Sequence, residues 1–115
     1  MSDAEHPYSL VYEKNGVVYV SGAASVDYST LQAVKGRREA LDAALNEVEK
    51  RLRSVGLELA NIVKATYYLT DISLRTEANQ QYEARFRPPR PARTVIGIAA
   101  MPYGATVGID VTAHR

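Results

Sequence analysis

The stretch Thr94-Val95-Ile96-Gly97-Ile98-Ala99-Ala100-Met101-Pro102-Tyr103-Gly104-Ala105-Thr106-Val107-Gly108-Ile109-Asp110-Val111-Thr112-Ala113 decides the fold. Its ends are rich in β-branched residues and its middle holds Pro102 and Gly104, so it reads as strand, turn, strand. The strands are expected over Thr94–Ala100 and Ala105–Ala113, joined by Met101-Pro102-Tyr103-Gly104. Nearly every residue in them is apolar or small. If helices cover one face of such a sheet, the other face would expose more apolar surface than a monomer tolerates. Self-association through that second face is the expectation.

Upstream, two helical patterns supply the cover. Val34, Leu41, Leu45, Val48, Leu52 and Val55 recur mostly three or four apart, which predicts a helix with one buried stripe. The polar residues of Asp27 to Thr30 offer a start, and Gly56 a stop. Gly36 costs about 1 kcal/mol relative to alanine, so the first turn or two is expected to be irregular. Leu74, Ala78, Tyr82 and Phe86 stand four apart in a second helix, Ser73 to Phe86, closed by Pro88-Pro89-Arg90-Pro91. Between the helices, Asn61 to Leu69 reads as a strand too continuously apolar to have a wet face. At the beginning, Tyr8 to Lys14 and Val17 to Ser21 flank Asn15-Gly16, a strong hairpin signal. The order β-β-α-β-α-β-β predicts an α+β fold, a mixed sheet with two helices on one face, and the 115 residues are read as a single domain over 1–115.

Composition removes several functions. The formal net charge of +1 gives no basis for attraction to nucleic acid, and Lys35, Arg37 and Arg38 have acidic neighbours that make them a solvated helix face. There are no cysteines, which excludes disulfides, thiolate nucleophiles and cysteine metal sites. No apolar run approaches the roughly 18 residues that span a bilayer, so a cytoplasmic location without membrane attachment is expected. His6, in an N-terminal segment expected to be mobile, and the penultimate His114 form no metal-ligand pattern and no Ser-His-Asp arrangement. No metal and no cofactor are expected.

Pro91-Ala92-Arg93-Thr94-Val95-Ile96-Gly97, followed by Met101-Pro102-Tyr103-Gly104 and a final strand, resembles the signature region of the RidA family, also called the YjgF family. Pro7-Tyr8-Ser9, Val20-Ser21-Gly22, Gly56-Leu57, Ile62-Val63-Lys64-Ala65-Thr66 and Asn79-Gln80-Gln81-Tyr82 resemble further motifs of that family in the same order. The resemblance implies a chorismate-mutase-like fold assembled as a homotrimer, with sheets facing inward and ligand clefts between subunits. It also implies hydrolysis of 2-imino acids, such as 2-iminobutanoate and 2-iminopropanoate, to 2-keto acids and ammonia. The partner implied is therefore a small carboxylate-bearing metabolite.

Such a reaction needs a grip on the carboxylate, a placed water and a protonated nitrogen. Arg93 suits the first task, because a planar guanidinium meets a carboxylate bidentately. Taken alone it reads as a structural ion pair at a strand start; preceded by Pro91-Ala92 it reads as the ligand-binding and catalytic centre. The resemblance places Tyr8, Ser21 and Gly22 in the wall of the cleft and Asn79 near it, with Tyr82 more a core residue. One departure stands out. Active relatives carry Glu-hydrophobic-Glu on the final strand, and the first Glu positions water; here the residues are Gly108, Ile109 and Asp110. Asp110 shares a strand face with Gly108 but lies about 7 Å further along, so a direct role stays open. Gly108 is expected to widen the pocket floor. Three readings follow: imine deamination by other groups, a related hydrolysis of a bulkier substrate, or a non-catalytic binding protein or sensor for a carboxylate.

Overall fold

The computed structural model describes residues 6–115. Its first hairpin joins β1 (Val11–Lys14) to β2 (Val17–Ala24). Asn15 and Gly16 both take positive φ, 54° and 78°, which is the backbone a two-residue turn between twisted strands demands. The chain then forms a small ribbon, β3 (Val26–Asp27) with β4 (Gln32–Ala33), before α1 (Arg37–Arg53). After α1 come β5 (Ile62–Leu69), α2 (Arg75–Arg85), β6 (Ala92–Gly97) and β7 (Val107–His114). The main sheet has the order β1-β2-β7-β5-β6; β5 and β6 are parallel and the other pairs antiparallel.

The sequence expectation for the start of the first helix needs correction. Asp27 to Thr30 does not begin a helix; the Asp27 carboxylate accepts from the Ser29 N–H at 2.9 Å and turns the chain back into β4. Leu31, at φ 60°, completes that reversal. Helix α1 starts ten residues later than Asp27, at Arg37, and its stripe Leu41, Leu45, Val48, Leu52 is fully buried. Gly56, at φ 79°, lets the Leu57 N–H reach back to the Leu52 carbonyl at 3.0 Å, which ends the helix. The edges of other elements also move: Tyr8 lies ahead of β1, and β6 ends at Gly97.

One core cluster joins the stripe of α1 and the Ala78, Tyr82 and Phe86 stripe at α2 to the inner face of the sheet. That inner face is Val18, Val20, Ile62, Ala65, Tyr67, Leu69, Val107, Ile109, Val111 and Ala113. The opposite face is less apolar than expected. A bulge at Val63 separates Ile62 from Lys64 and restores strict alternation along β5. Lys64, Thr66 and Tyr68 therefore turn away from the core, beside Thr94, Asp110, Thr112 and the exposed Tyr19. Val95, Val107, Ile109 and Val111, which made the last strands look apolar on both sides, all sit on the helix side. The outer face is amphipathic: the exposed Tyr12, Tyr19 and Ile96 share it with Lys64, Thr66, Thr94, Asp110 and Thr112.

Candidate functional site

Arg93 comes second on the edge strand β6, directly across from Ala65 on β5, so its side chain points to the helix side of the sheet. The methyl group of Ala65 leaves space there. The guanidinium lies over two rings, 4.8 Å from the centroid of Tyr82 and 5.3 Å from that of Tyr67. The rings meet edge to face at 5.9 Å and 80°. Helix α2 holds the arrangement through one turn. Asn79 accepts from Arg93 Nη2 through Oδ1. The Tyr82 hydroxyl donates to the Pro91 carbonyl at 3.2 Å, just ahead of Arg93. Gln81 accepts from the Tyr67 hydroxyl at 2.8 Å and donates to Asp42 of α1 at 2.8 Å.

This cation has no ion-pair partner among the described residues, and its buried Nη1 has no hydrogen-bond partner there. A buried donor left unmade costs about 1–3 kcal/mol, and more when it is charged. The rings do not offset this with charge. Burial pushes the Tyr67 phenol well above its ordinary range, reinforced by neighbouring Tyr82 and opposed by Arg93. Burial also raises Tyr82, against the pull of Arg93. Both stay neutral, and the guanidinium sits on an aromatic bed that attracts it without neutralising it.

Ser21 and Gly22 form a second group. The register of β2 on β7 passes from Val20–Val111 to Ala23–Ile109, so these two residues bulge opposite Asp110. Arg51, only 5% exposed, holds the bulge from α1, donating to the Ser21 carbonyl at 2.9 Å and to Glu47 at 3.0 Å. Its guanidinium lies 5.3 Å from the Tyr28 ring centroid, and the Tyr28 hydroxyl accepts from Ala24 N–H at 2.8 Å. Ser21 Oγ donates to the Ser9 carbonyl at 2.7 Å, which brings in the segment carrying the exposed Tyr8, whose ring stacks on His6 at 5.0 Å. A side chain added at Gly22 would meet open space.

Gly108 and Asp110 lie on the outer face of β7, across from Tyr68 and Thr66. Tyr68 donates its hydroxyl to Asp110 at 2.8 Å, and that bond raises the phenol above its ordinary range. Gly108 does not widen a pocket floor. A Cβ placed on it would stand 2.5 Å from Met101 Cε and 3.1 Å from Sδ, because the methionine folds over the glycine and fills the space. The absent side chain at position 108 is replaced by an apolar thioether.

The expected site residues thus separate into two halves. Arg93 and Asn79 come together at the β6 edge on the helix side. Ser21, Gly22, Gly108 and Asp110 gather around β2 and β7, with Gly108 and Asp110 on the outer face and Tyr8 nearby. Sequence reasoning missed Tyr67, Gln81 and Asp42 behind Arg93, Arg51 behind the bulge, and Met101 over Gly108. Only the pairing of β5 with β6 reveals which of the adjacent Tyr67 and Tyr68 turns toward Arg93. Among the described residues no three His, Cys, Asp or Glu side chains cluster as metal ligands, and no helix is long and apolar enough to cross a membrane.

The architecture is shared with known proteins. A RidA structure from the Antarctic bacterium Psychrobacter superposes with a TM-score of 0.89 at 26% identity, covering 96% of this chain and 89% of that one. A RutC family protein of Aquifex aeolicus is 36% identical over 111 residues, covering 95% of this chain and 89% of the relative. The 2-iminobutanoate/2-iminopropanoate deaminase of Bos taurus is 33% identical over 108 residues, covering 93% and 79%. The family model described as Endoribonuclease L-PSP matches residues 1–115. By these matches, on an α+β fold with a mixed sheet and two helices, the chain belongs to the RidA (YjgF) family.

Proposed function

We propose that the protein hydrolyses small 2-imino acids to 2-keto acids and ammonia, with Arg93 gripping the substrate carboxylate. The observation that carries this reading is the state of Arg93: a guanidinium seated on neutral rings, without an ionic partner among the described residues and with one donor unmade. A carboxylate brought by a ligand supplies the missing charge and acceptor. Water then adds to the carbon of the protonated C=N, and the tetrahedral adduct loses ammonia as its hydroxyl becomes the keto oxygen. No oxidant or cofactor enters. Imino-acid deaminases among the relatives support the reaction class.

The clefts belong between copies of the chain, in a cytoplasmic homotrimer of single 1–115 domains. Support comes from the split site. Arg93 and Asn79 point to the helix side at one sheet edge, whereas Gly108 and Asp110 face outward beside the Ser21–Gly22 bulge. One small molecule cannot touch both halves of one chain, but it can bridge the β6 edge of one copy and the outer face of another. Tyr8, Ser21 and Gly22 line that second wall, and Asp110 is the carboxylate available to a water. Light scattering tests the assembly: three times the chain mass is expected at micromolar concentration, and a monomer contradicts the split-site reading.

A second reading, a trimer that binds a carboxylate without turnover, is favoured by Met101 occupying the space over Gly108. Keto-acid release from freshly generated 2-iminobutanoate decides between them. Acceleration by wild type, falling at least about 30-fold in Arg93→Ala, is expected for a charge-paired substrate. No acceleration by wild type, together with activity gained by Gly108→Glu, selects the binding protein instead.

A further inference from the structure

We propose that Tyr67 is a positioning residue for the anion site: its ring, with that of Tyr82, seats the Arg93 guanidinium while supplying no counter-charge. The inference rests on Arg93 being the carboxylate grip and explains how a cation can be held there unpaired. Tyr67 is fully buried and lies two residues beyond Ala65, the cross-strand neighbour of Arg93, on the same face of β5. The small Ala65 lets the guanidinium lean toward the ring and reach 5.3 Å from its centroid. Tyr82 approaches at 4.8 Å from α2. The seat therefore has one wall from the sheet and one from the helix.

The Tyr67 ring is itself fixed at its far end. Its hydroxyl donates to Gln81, a buried amide, whose nitrogen donates to the Asp42 carboxylate. Asp42 and Gln81 line a cavity of about 280 Å³ between the helices, which also includes Arg38, Glu77 and Arg85 in its wall. Asp42 is exposed there, so the carboxylate nearest to this network is placed at the solvent end of the chain, and the amide stands between it and the phenol. A carboxylate in the position of Gln81 would instead place a negative charge at the back of the seat. An all-aliphatic core would fill the volume equally well but would leave the guanidinium without an attractive surface. The adjacent Tyr68 cannot substitute, because it points to the outer face and binds Asp110.

The test uses the full-length protein, with 2-oxobutanoate and its uncharged analogue 2-oxobutanamide as calorimetric probes. Tyr67→Leu is expected to weaken 2-oxobutanoate binding about tenfold, as loss of a desolvated cation–π contact implies, with little change for the amide. Tyr67→Phe, which keeps the ring, is expected to restore affinity to within about threefold of wild type. Replacing Tyr67 with pentafluorophenylalanine keeps an aromatic ring but reverses the charge on its face, and is expected to weaken the acid selectively relative to Tyr67→Phe. This variant also serves if Tyr67→Leu does not fold. A folded Tyr67→Leu or a fluorinated protein that binds the acid like wild type, while Arg93→Ala does not bind it, overturns the inference and leaves the anion site standing. Undiminished binding by Arg93→Ala removes the anion site itself.

Discussion

Arg51 and Arg93 are two arginines of one chain, the first laid on one tyrosine ring and the second on two, and they differ in how their charge is met. Arg51 is 5% exposed and meets Glu47, the Ser21 carbonyl and Tyr28. Arg93 meets an amide and two rings, and one of its donors is unmade. The chain therefore folds one guanidinium into a complete network and the other into an incomplete one. The complete network holds a backbone bulge in place. The incomplete one is where the proposed substrate carboxylate would bind. Aromatic contact is common to both, but Arg51 is buried with its charge matched, whereas Arg93 is half-buried with its charge unmatched among the described residues.

The largest expected effect separates them by stability. Arg51→Ala removes the donor to Ser21 and leaves the Glu47 carboxylate, 15% exposed, without its cation. A loss of about 2–4 kcal/mol is expected, because breaking one side of a buried ion pair strands the other. Arg93→Ala is expected to change folding stability by no more than about 1 kcal/mol, since the cost of its unmade donor disappears together with its ring contacts. Urea unfolding of the two variants measures both quantities. Equal losses would erase the distinction and make Arg93 a structural residue like Arg51.

Much of the fold was legible in residue spacing. The intervals of Leu41, Leu45, Val48 and Leu52 located α1, and Asn15-Gly16 located the first hairpin. The ribbon of β3 and β4 was not legible, because Asp27 and Ser29 can cap a helix or close a turn with the same hydrogen bond, and long-range pairing decides which. The outer face is hard to read from the sequence for a similar reason. In β5 the extra residue at Val63 displaces only Ile62 from the alternation, and in β6 and β7 Val95, Val107, Ile109 and Val111 all fall on the helix side, neither of which a run of apolar letters reveals. At the site, Arg93 stood out through Pro91-Ala92 and the family resemblance. Its seat did not. Tyr67 and Tyr68 are equivalent as letters, and the register against β6 alone turns one toward the guanidinium and the other toward Asp110.

A smaller effect is expected where α1 and α2, the helices that carry Arg51 and support Arg93, are tied together. Arg37 donates to Glu77 and to Asp71 at 3.5 Å, across the start of both helices. The Ser73 hydroxyl and N–H lower the Asp71 carboxyl, with Arg37 contributing, and Arg37 lowers that of Glu77. Both folded-state values lie below those of the unfolded chain. Their contribution to stability is therefore present above the unfolded carboxylate range, near pH 4, and is lost as pH falls through the depressed folded values. Arg37 is half-exposed, so salt should screen its part of this contribution, unlike the buried pair of Arg51. Arg37→Ala is expected to lower the Tm slightly at pH 7 and low salt, and to match wild type at pH 2 or in about 1 M salt. Arg51→Ala should keep most of its deficit in salt. If the Arg37 deficit also survives salt, the tie between the helices acts through packing of the arginine stem rather than through charge, and exposure would not be what divides the paired arginines of this chain.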